Sequence, residues 1–259
     1  MIDFTIDIET IPQQGEEGYP VFLAAEMENF KAPSTLTKAK AAADLGLDAK
    51  EAKFTAAGEV IAQWENKFKE EKAPEVAEQK WLKTSFDGSR GEIVCISWAL
   101  GDGSINRSYR GLDGSESELI QSVFDNVKAE ITNIYGSFET AKELRWVGHN
   151  VIGFDMRFLY LRSVILNINT HGIKIPLNTR HGYKDCFDTM IAWRGFGAKA
   201  GGSMDAVCKA LGFDGKGDIS GADVWPYIKA GRELEVADYC DDDVKRTREI
   251  FKRLTNIPT

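Results

Sequence analysis

Hydrophobic and polar residues alternate with two different periods along the chain, and together they predict a mixed sheet with helices on its faces. Segments rich in β-branched and aromatic residues, ended by turns, predict four strands: DFTIDIETIP (3–12), EIVCISWALGDG (92–103), SINRSYRG (104–111) and LRWVGHN (144–150). Helical spacing follows the fourth strand in MRFLYLRSVILNI (156–168), FDTMIAWRG (187–195), SMDAVCKALGF (203–213) and a terminal helix from about Leu234 to Leu254. The predicted class is α/β.

A block rich in Ala, Lys and Glu interrupts this pattern after the first strand, from about Pro20 to Lys83. Its helical spacing predicts an insertion, and the alternation of Lys and Glu is typical of a solvated outer face. Past the second and third strands, Ser115 precedes a helical pattern with Glu118 three residues on, which predicts an N-cap. We therefore expect one domain over 1–259, with a core at about 1–12 and 86–259 and a helical insertion at about 20–85.

Composition narrows the class of protein. Hydrophobic residues make up 43% and charged residues 28% of the 259 positions. No apolar run approaches the roughly 18 residues of a membrane span, and the first residues lack the zones of a signal peptide, so we expect a cytoplasmic protein without a membrane partner. The four cysteines have no C-x-x-C spacing, which argues against a zinc knuckle or a disulfide framework.

Charge is unevenly distributed. The net charge is −8, so the protein as a whole does not have the basic surface typical of nucleic-acid binding. Between residues 157 and 199, however, seven basic residues stand against two acids, an excess of five. The basic residues are Arg157, Arg162, Lys174, Arg180, Lys184, Arg194 and Lys199. Such a stretch is either a solvated face or, if residues nearby handle nucleic acid, a surface that contacts phosphates.

Three acidic motifs carry the candidate chemistry. In the first strand, alternation places Asp7 and Glu9 on one face, where like charges repel unless a cation or a shared proton compensates. Asp155 follows the fourth strand at the start of a helix, and Tyr239 and Asp243 lie four apart on the terminal helix, hence on one face. Taken singly, these are typical of a strand edge, an N-cap and a solvated helix face.

Together, four carboxylates that converge at one edge of a sheet indicate a different interpretation. Without basic partners they cannot all ionise in one small pocket, and two divalent cations make the arrangement stable. Oxygen ligands favour Mg²⁺ or Mn²⁺ over zinc. Two such ions about 3.5–4 Å apart stabilise the attacking and leaving oxygens in phosphodiester hydrolysis. The tyrosine would then orient the attacking water or help to deprotonate it.

The motifs DIET, HNVIGFD and YCDDD resemble the three Exo motifs of the DEDD exonuclease superfamily, whose fold is ribonuclease H-like. The tyrosine four residues before the last aspartate resembles the DEDDy branch. SMDAVCKALGF, GKGDISGADVW and YIKAGRELEVADYCDDDVKRT resemble more closely the predicted 3′–5′ exonucleases related to the proofreading domain of family B DNA polymerases. The resemblance covers roughly residues 1 to 12 and 90 to 254, while the block at about 20–85 departs from it.

This resemblance implies roles for nine residues. Asp7, Glu9, Asp155 and Asp243 would bind the two metal ions, and Tyr239 would act on the nucleophilic water. Thr10 and Ile11 match the place where the family contacts the terminal nucleotide. Asn150 and Phe154 match supporting positions of the second motif and are taken as substrate-binding, although Phe154 also suits core packing.

We therefore expect a metal-dependent 3′–5′ exonuclease that acts on single-stranded DNA with a free 3′ end and releases nucleoside monophosphates. Two alternatives remain open: a 3′–5′ exoribonuclease, and a non-catalytic nucleic-acid-binding or protein-binding module on the same fold whose insertion recruits a partner. Several polar residues are given structural roles: Asp188 as an N-cap, Lys216 as a turn lysine, and the dispersed histidines His149, His171 and His181 in the core or at the surface.

Overall fold

The structure is a computed structural model that describes residues 1–141, 143–179, 184–195, 201–215, 217 and 219–255. The chain forms two compact units. The larger consists of Met1–Ile11 and Ser85–Thr259, and the smaller of Pro12–Thr84. Within the described residues, no helix combines the length and the apolar character needed to cross a bilayer.

A five-stranded mixed sheet is the centre of the larger unit. Its strands are β1 (Ile2–Ile11), β2 (Glu92–Leu100), β3 (Asn106–Tyr109), β4 (Leu144–Gly148) and β5 (Cys186–Asp188), in the order β3-β2-β1-β4-β5. β1 is antiparallel to β2 and parallel to β4. The four strands predicted from the sequence are present. The pattern did not predict β5, because its three residues run directly into a helix and are too few to show alternation.

The smaller unit is helical, as the composition of the block predicted. Its helices are α1 (Tyr19–Asn29), α2 (Lys38–Leu45), α3 (Ala49–Phe54) and α4 (Ala57–Leu82), followed by a 3₁₀ turn at Lys83–Phe86. Trp64 of α4 is the largest side chain of its core. It stacks on Phe30 with ring centroids 6.3 Å apart and donates a hydrogen bond to Asp44 (3.0 Å). This unit therefore has a hydrophobic core of its own.

Helices lie on both faces of the sheet in the larger unit. They are α5 (Glu116–Tyr135), α6 (Phe138–Ala141), α7 (Asp155–Ile165), α8 (Thr189–Arg194), α9 (Met204–Leu211), α10 (Val224–Lys229) and α11 (Glu233–Leu254). The prediction of Ser115 as an N-cap is confirmed, since its side chain accepts a hydrogen bond from the Glu118 N–H. The mixed sheet with flanking helices confirms the predicted fold class.

The side chains of β1 divide between the two faces of the sheet. Ile6 and Ile8 belong to the main core with residues of α5 and α7. Ile11 lies in a second core with residues of β2, α10 and α11. Glu9 pairs with Cys95 of β2, but the next residue, Thr10, pairs with Ile93, so Val94 has no partner in β1 and β2 forms a bulge there. Val94 and Cys95 both pack in the second core. The second core holds α11 against the face of β1 that carries the acids.

Candidate active site

Asp7 and Glu9 lie in the middle of β1, on the face covered by α11. One carboxylate oxygen each from Asp7, Glu9 and Asp243 lie within 4.8 Å of one another. Glu9 and Asp243 are buried and Asp7 is half-buried. The Cys240 thiol supports this face of β1 by donating to the backbone oxygen and a carboxylate oxygen of Asp7, both at 3.4 Å.

Helix α11 presents Tyr239 and Asp243 to this cluster because they lie one turn apart on its buried face. The acids between them have other partners. Asp241 accepts hydrogen bonds from the buried Ser97 hydroxyl of β2 (2.6 Å) and from Arg107 of β3 (3.1 Å). Asp242 pairs with Lys245 at the surface (2.8 Å). Asp241 therefore fixes the rotation of α11 against the sheet, which directs the tyrosine and the last aspartate toward β1.

Asp155 reaches the same place from the loop between β4 and α7. Its carboxylate accepts a hydrogen bond from the Ile8 N–H (3.2 Å), between the two acids of β1. The loop turns sharply: Asn150 has a left-handed backbone (φ 68°), which asparagine tolerates better than most residues. A Cβ on Gly148 would lie 2.5 Å from Cβ of Val151. Asp155 is 5% exposed, and the bond from the Ile8 N–H ties its carboxylate to the backbone of β1.

Asp188 fixes this loop from the other side. It is fully buried and caps α8 by accepting from the Ile191 N–H (3.1 Å), which confirms its prediction as an N-cap. The same carboxylate also accepts from the backbone N–H groups of Asn150 (3.2 Å) and Ile152 (3.1 Å). Local sequence patterns could not predict these two bonds, because they join residues 38 and 36 positions apart in the chain.

The electrostatics of the cluster are those of crowded, buried acids. Burial raises the pKa of Asp7 well above its usual value, and the charges of Glu9, Asp155 and Asp243 raise it further. Burial also raises the pKa of Asp155 to about 7, against the effect of its backbone hydrogen bonds. Burial and then the charge of Glu9 raise the pKa of Tyr239. The tyrosine is therefore a neutral hydrogen-bonding group at neutral pH.

The donor set fits a hard divalent cation. Every ligand atom in the cluster is a carboxylate oxygen, the type that Mg²⁺, Mn²⁺ and Ca²⁺ prefer. The thiols of the site, those of Cys95 and Cys240, are buried. Arg246 donates to Asp243 (3.1 Å), so one positive charge already balances part of the cluster. Bound cations would offset both causes of these high pKa values, the burial of the charged carboxylates and the repulsion among them.

The predicted substrate-binding residues differ in where they lie. Thr10 is half-buried, and its hydroxyl donates to the Ser85 backbone oxygen (2.7 Å). Ile11 is fully buried in the second core, so its side chain does not reach a surface, and its predicted substrate contact stays a prediction. Asn150 and Phe154 are half-buried in the loop that precedes Asp155.

The basic stretch is only partly a surface. Arg162 is 8% exposed and makes a bidentate ion pair with Glu116 (2.9 and 2.6 Å). The interpretation of Arg162 as part of a phosphate-contacting surface is therefore wrong. His149 is a structural residue that bonds Thr189 (2.9 Å) and the Gly202 oxygen (2.7 Å). Four residues weighed from the sequence lie outside the described residues: Arg180, His181, Lys199 and Lys216.

The sheet order and the acid cluster define an α/β protein of the ribonuclease H-like exonuclease type. Residues 93–258 match a family described as predicted 3′–5′ exonucleases related to the exonuclease domain of PolB. The chain belongs to this family, as the motifs predicted. Exonuclease domains of this kind act on nucleic acids and use divalent metals.

Among solved structures, the fold is similar to that of the family B DNA polymerase from the hyperthermophilic archaeon Pyrobaculum calidifontis. The TM-score is 0.54 at 14% sequence identity, and the match covers 98% of this chain and 24% of the polymerase chain. The chain therefore spans about a quarter of the polymerase, and at this identity the likeness concerns the fold. A comparison with curated proteins gave no match.

Proposed function

We propose that this protein is a metal-dependent 3′–5′ exonuclease that hydrolyses single-stranded DNA and releases nucleoside 5′-monophosphates. The observation that carries the proposal is the convergence of β1, α7 and α11 on one point. Asp7, Glu9 and Asp243 have oxygens within 4.8 Å of one another, and Asp155 is bonded to the backbone between the first two. Buried acids at this density are costly to a fold unless they bind cations.

In this proposal Asp7, Glu9, Asp155 and Asp243 would hold two divalent cations, Mg²⁺ or Mn²⁺. When bound, such ions stabilise charge on the attacking and leaving oxygens of a phosphodiester. The protein's own contribution is to hold carboxylates in fixed positions: Asp155 through the Ile8 N–H, Asp7 through Cys240, and Asp243 through Arg246. Fixed ligands need no reorganisation when the reaction occurs.

Tyr239 would orient the attacking water. Its ring is 7% exposed and lies one turn before Asp243 on the same helix. Because burial and the neighbouring acids raise its pKa, the hydroxyl keeps its proton and can both donate and accept a hydrogen bond at neutral pH. It would hold a water in the line of attack without removing the proton itself.

The substrate and the organisation of the chain are also part of the proposal. We propose single-stranded DNA with a free 3′ end as the substrate, and one exonuclease domain in which Pro12–Thr84 is a helical insertion. The acidic chain should bind a polyanion weakly, and its affinity should fall as salt rises.

The test is digestion of a 5′-labelled single-stranded DNA oligonucleotide in Mn²⁺, beside an RNA strand of the same sequence. The wild type should give a ladder that shortens from the 3′ end, and Asp7→Ala should give none. Asp3→Ala is a matched control, because Asp3 lies on the same strand but pairs with Arg145 (2.6 Å) outside the cluster. Faster loss of the RNA would move the proposal to an exoribonuclease, and two intact strands with folded protein would refute catalysis.

A further inference from the structure

An exposed aromatic ring stands beside the candidate active site without an assigned role. Phe86 is 74% exposed. Its ring centroid lies 6.4 Å from that of Phe154, the residue before Asp155, at an interplanar angle of 61°. Phe154 in turn contacts the buried Phe158 at 5.4 Å. Three rings therefore lead from the core to the surface, and Phe86 is the outermost.

The backbone on both sides of Phe86 is fixed. On one side, the Thr10 hydroxyl donates to the Ser85 backbone oxygen (2.7 Å), and Thr10 directly follows Glu9. On the other side, Gly88 approaches α7 so closely that a Cβ there would lie 2.9 Å from Cα of Phe158. Asp87 closes a turn between them by accepting from the Ser89 N–H (2.9 Å). The ring is thus tied to β1 and α7, which carry three of the four acids.

We propose that Phe86 is a stacking platform for a nucleobase at the 3′ end of the strand, an inference that rests on the proposed function and extends it to the substrate. A flat apolar ring with an exposed face binds any base, because every base has a π-face. Stacking does not depend on charge, which suits a chain with a net charge of −8. Of the basic stretch, Arg162 and Lys184 already pair with Glu116 and Glu143.

The first experiment measures binding of a 5′-fluorescein-labelled oligothymidylate by anisotropy, with Ca²⁺ in place of Mn²⁺, using the full chain. Phe86→Ala should raise Kd about 5- to 140-fold, the range expected for loss of one base–aromatic stack. Phe86→Trp should restore binding to near the wild-type value. Tyr135→Ala removes another exposed aromatic ring of the same unit (51% exposed) and should leave Kd unchanged.

The decisive comparison uses the same strand with an abasic 3′-terminal residue. If the ring stacks on that base, the wild type should bind the abasic strand more weakly than the intact strand. Phe86→Ala should bind both strands equally weakly, because it has already lost the ring on which the base would stack. The proposal would be overturned if the loss of affinity from the abasic residue and the loss from Phe86→Ala multiplied when combined. It would also be overturned if Phe86→Ala bound the intact strand as tightly as the wild type, a result that is expected if the ring docks a protein instead. Ring-dependent binding with no shortening in Mn²⁺ would support stacking while refuting the exonuclease.

Discussion

Replacing Asp188 by asparagine tests how the second motif is held in place. The substitution keeps the shape of the side chain but changes one carboxylate oxygen into an NH₂ group. In the wild type, Oδ1 accepts from the N–H groups of Asn150 (3.2 Å) and Ile191 (3.1 Å), and Oδ2 accepts from that of Ile152 (3.1 Å). An asparagine that keeps the first two bonds must place its NH₂ against the Ile152 N–H.

The cost follows from this count. Leaving one buried backbone donor without an acceptor costs about 1–3 kcal/mol, and two bonds to a charged acceptor become weaker neutral bonds. The site is fully buried, so water does not replace the lost partner. Loss of repulsion between Asp188 and Asp155 offsets part of this cost. We expect Asp188→Asn to lower the free energy of unfolding by about 3 kcal/mol.

Urea unfolding followed by tryptophan fluorescence measures this difference. Asp185→Asn is the matched control, because Asp185 is exposed and contacts Thr179 (2.7 Å) outside the loop; it should change stability by less than about 0.5 kcal/mol. Under folding conditions, Asp188→Asn should also lower kcat on a DNA strand more than Asp185→Asn does. Equal stability of the two variants would refute the reasoning that this carboxylate holds the Asn150–Asp155 loop.

Three further results are expected. Mn²⁺ at a hundred times its Kd should stabilise the wild type by about 2.7 kcal/mol in thermal melting, whereas Asp7→Asn should melt higher than the wild type in EDTA and show no Mn²⁺ shift; a full shift in the variant would contradict the ligand set. The pKa of Asp155 is about 7 in the folded state and 3.8 in the unfolded state, so the free energy of unfolding should fall by up to about 4 kcal/mol as pH rises from about 4 to 7. In EDTA, Asp155→Asn should flatten this dependence of stability on pH, and equal slopes for variant and wild type would contradict the assignment. Arg162→Met should cost about 3–5 kcal/mol by leaving the charge of Glu116 buried without its ion pair. Adding Glu116→Gln, which removes that charge and keeps an oxygen for the Ile93 N–H (2.7 Å), should recover part of the loss in urea unfolding, and no recovery would contradict this reasoning.

The sequence could predict what local patterns encode. Alternation in β1 located Asp7 and Glu9 on one face, and the spacing of four located Tyr239 and Asp243 on the same face of α11. The order of motifs, together with the family resemblance, was enough to indicate the fold class. These features depend on residues that are neighbours in the chain.

Features that depend on distant segments could not be predicted in the same way. Ile11 continues the alternation of β1, and nothing near it in the chain shows that α10 and α11 cover it. Arg162 stood in a basic stretch, but its partner Glu116 is 46 residues earlier. Phe86 ends a polar helical block, and its position beside Phe154 is a property of the folded chain.

The ends of the inserted segment nearly meet in space. The Gln13 N–H donates to the Thr84 hydroxyl (2.9 Å), and one step further out the Thr10 hydroxyl bonds the Ser85 oxygen (2.7 Å). Two hydrogen-bonded contacts of this kind between the outgoing and returning chain are typical of a β-hairpin. The segment of more than sixty residues between them could therefore be exchanged for a short turn without moving β1. The junction is thus a position where evolution can lengthen, shorten or replace the helical unit while the four acids keep their places.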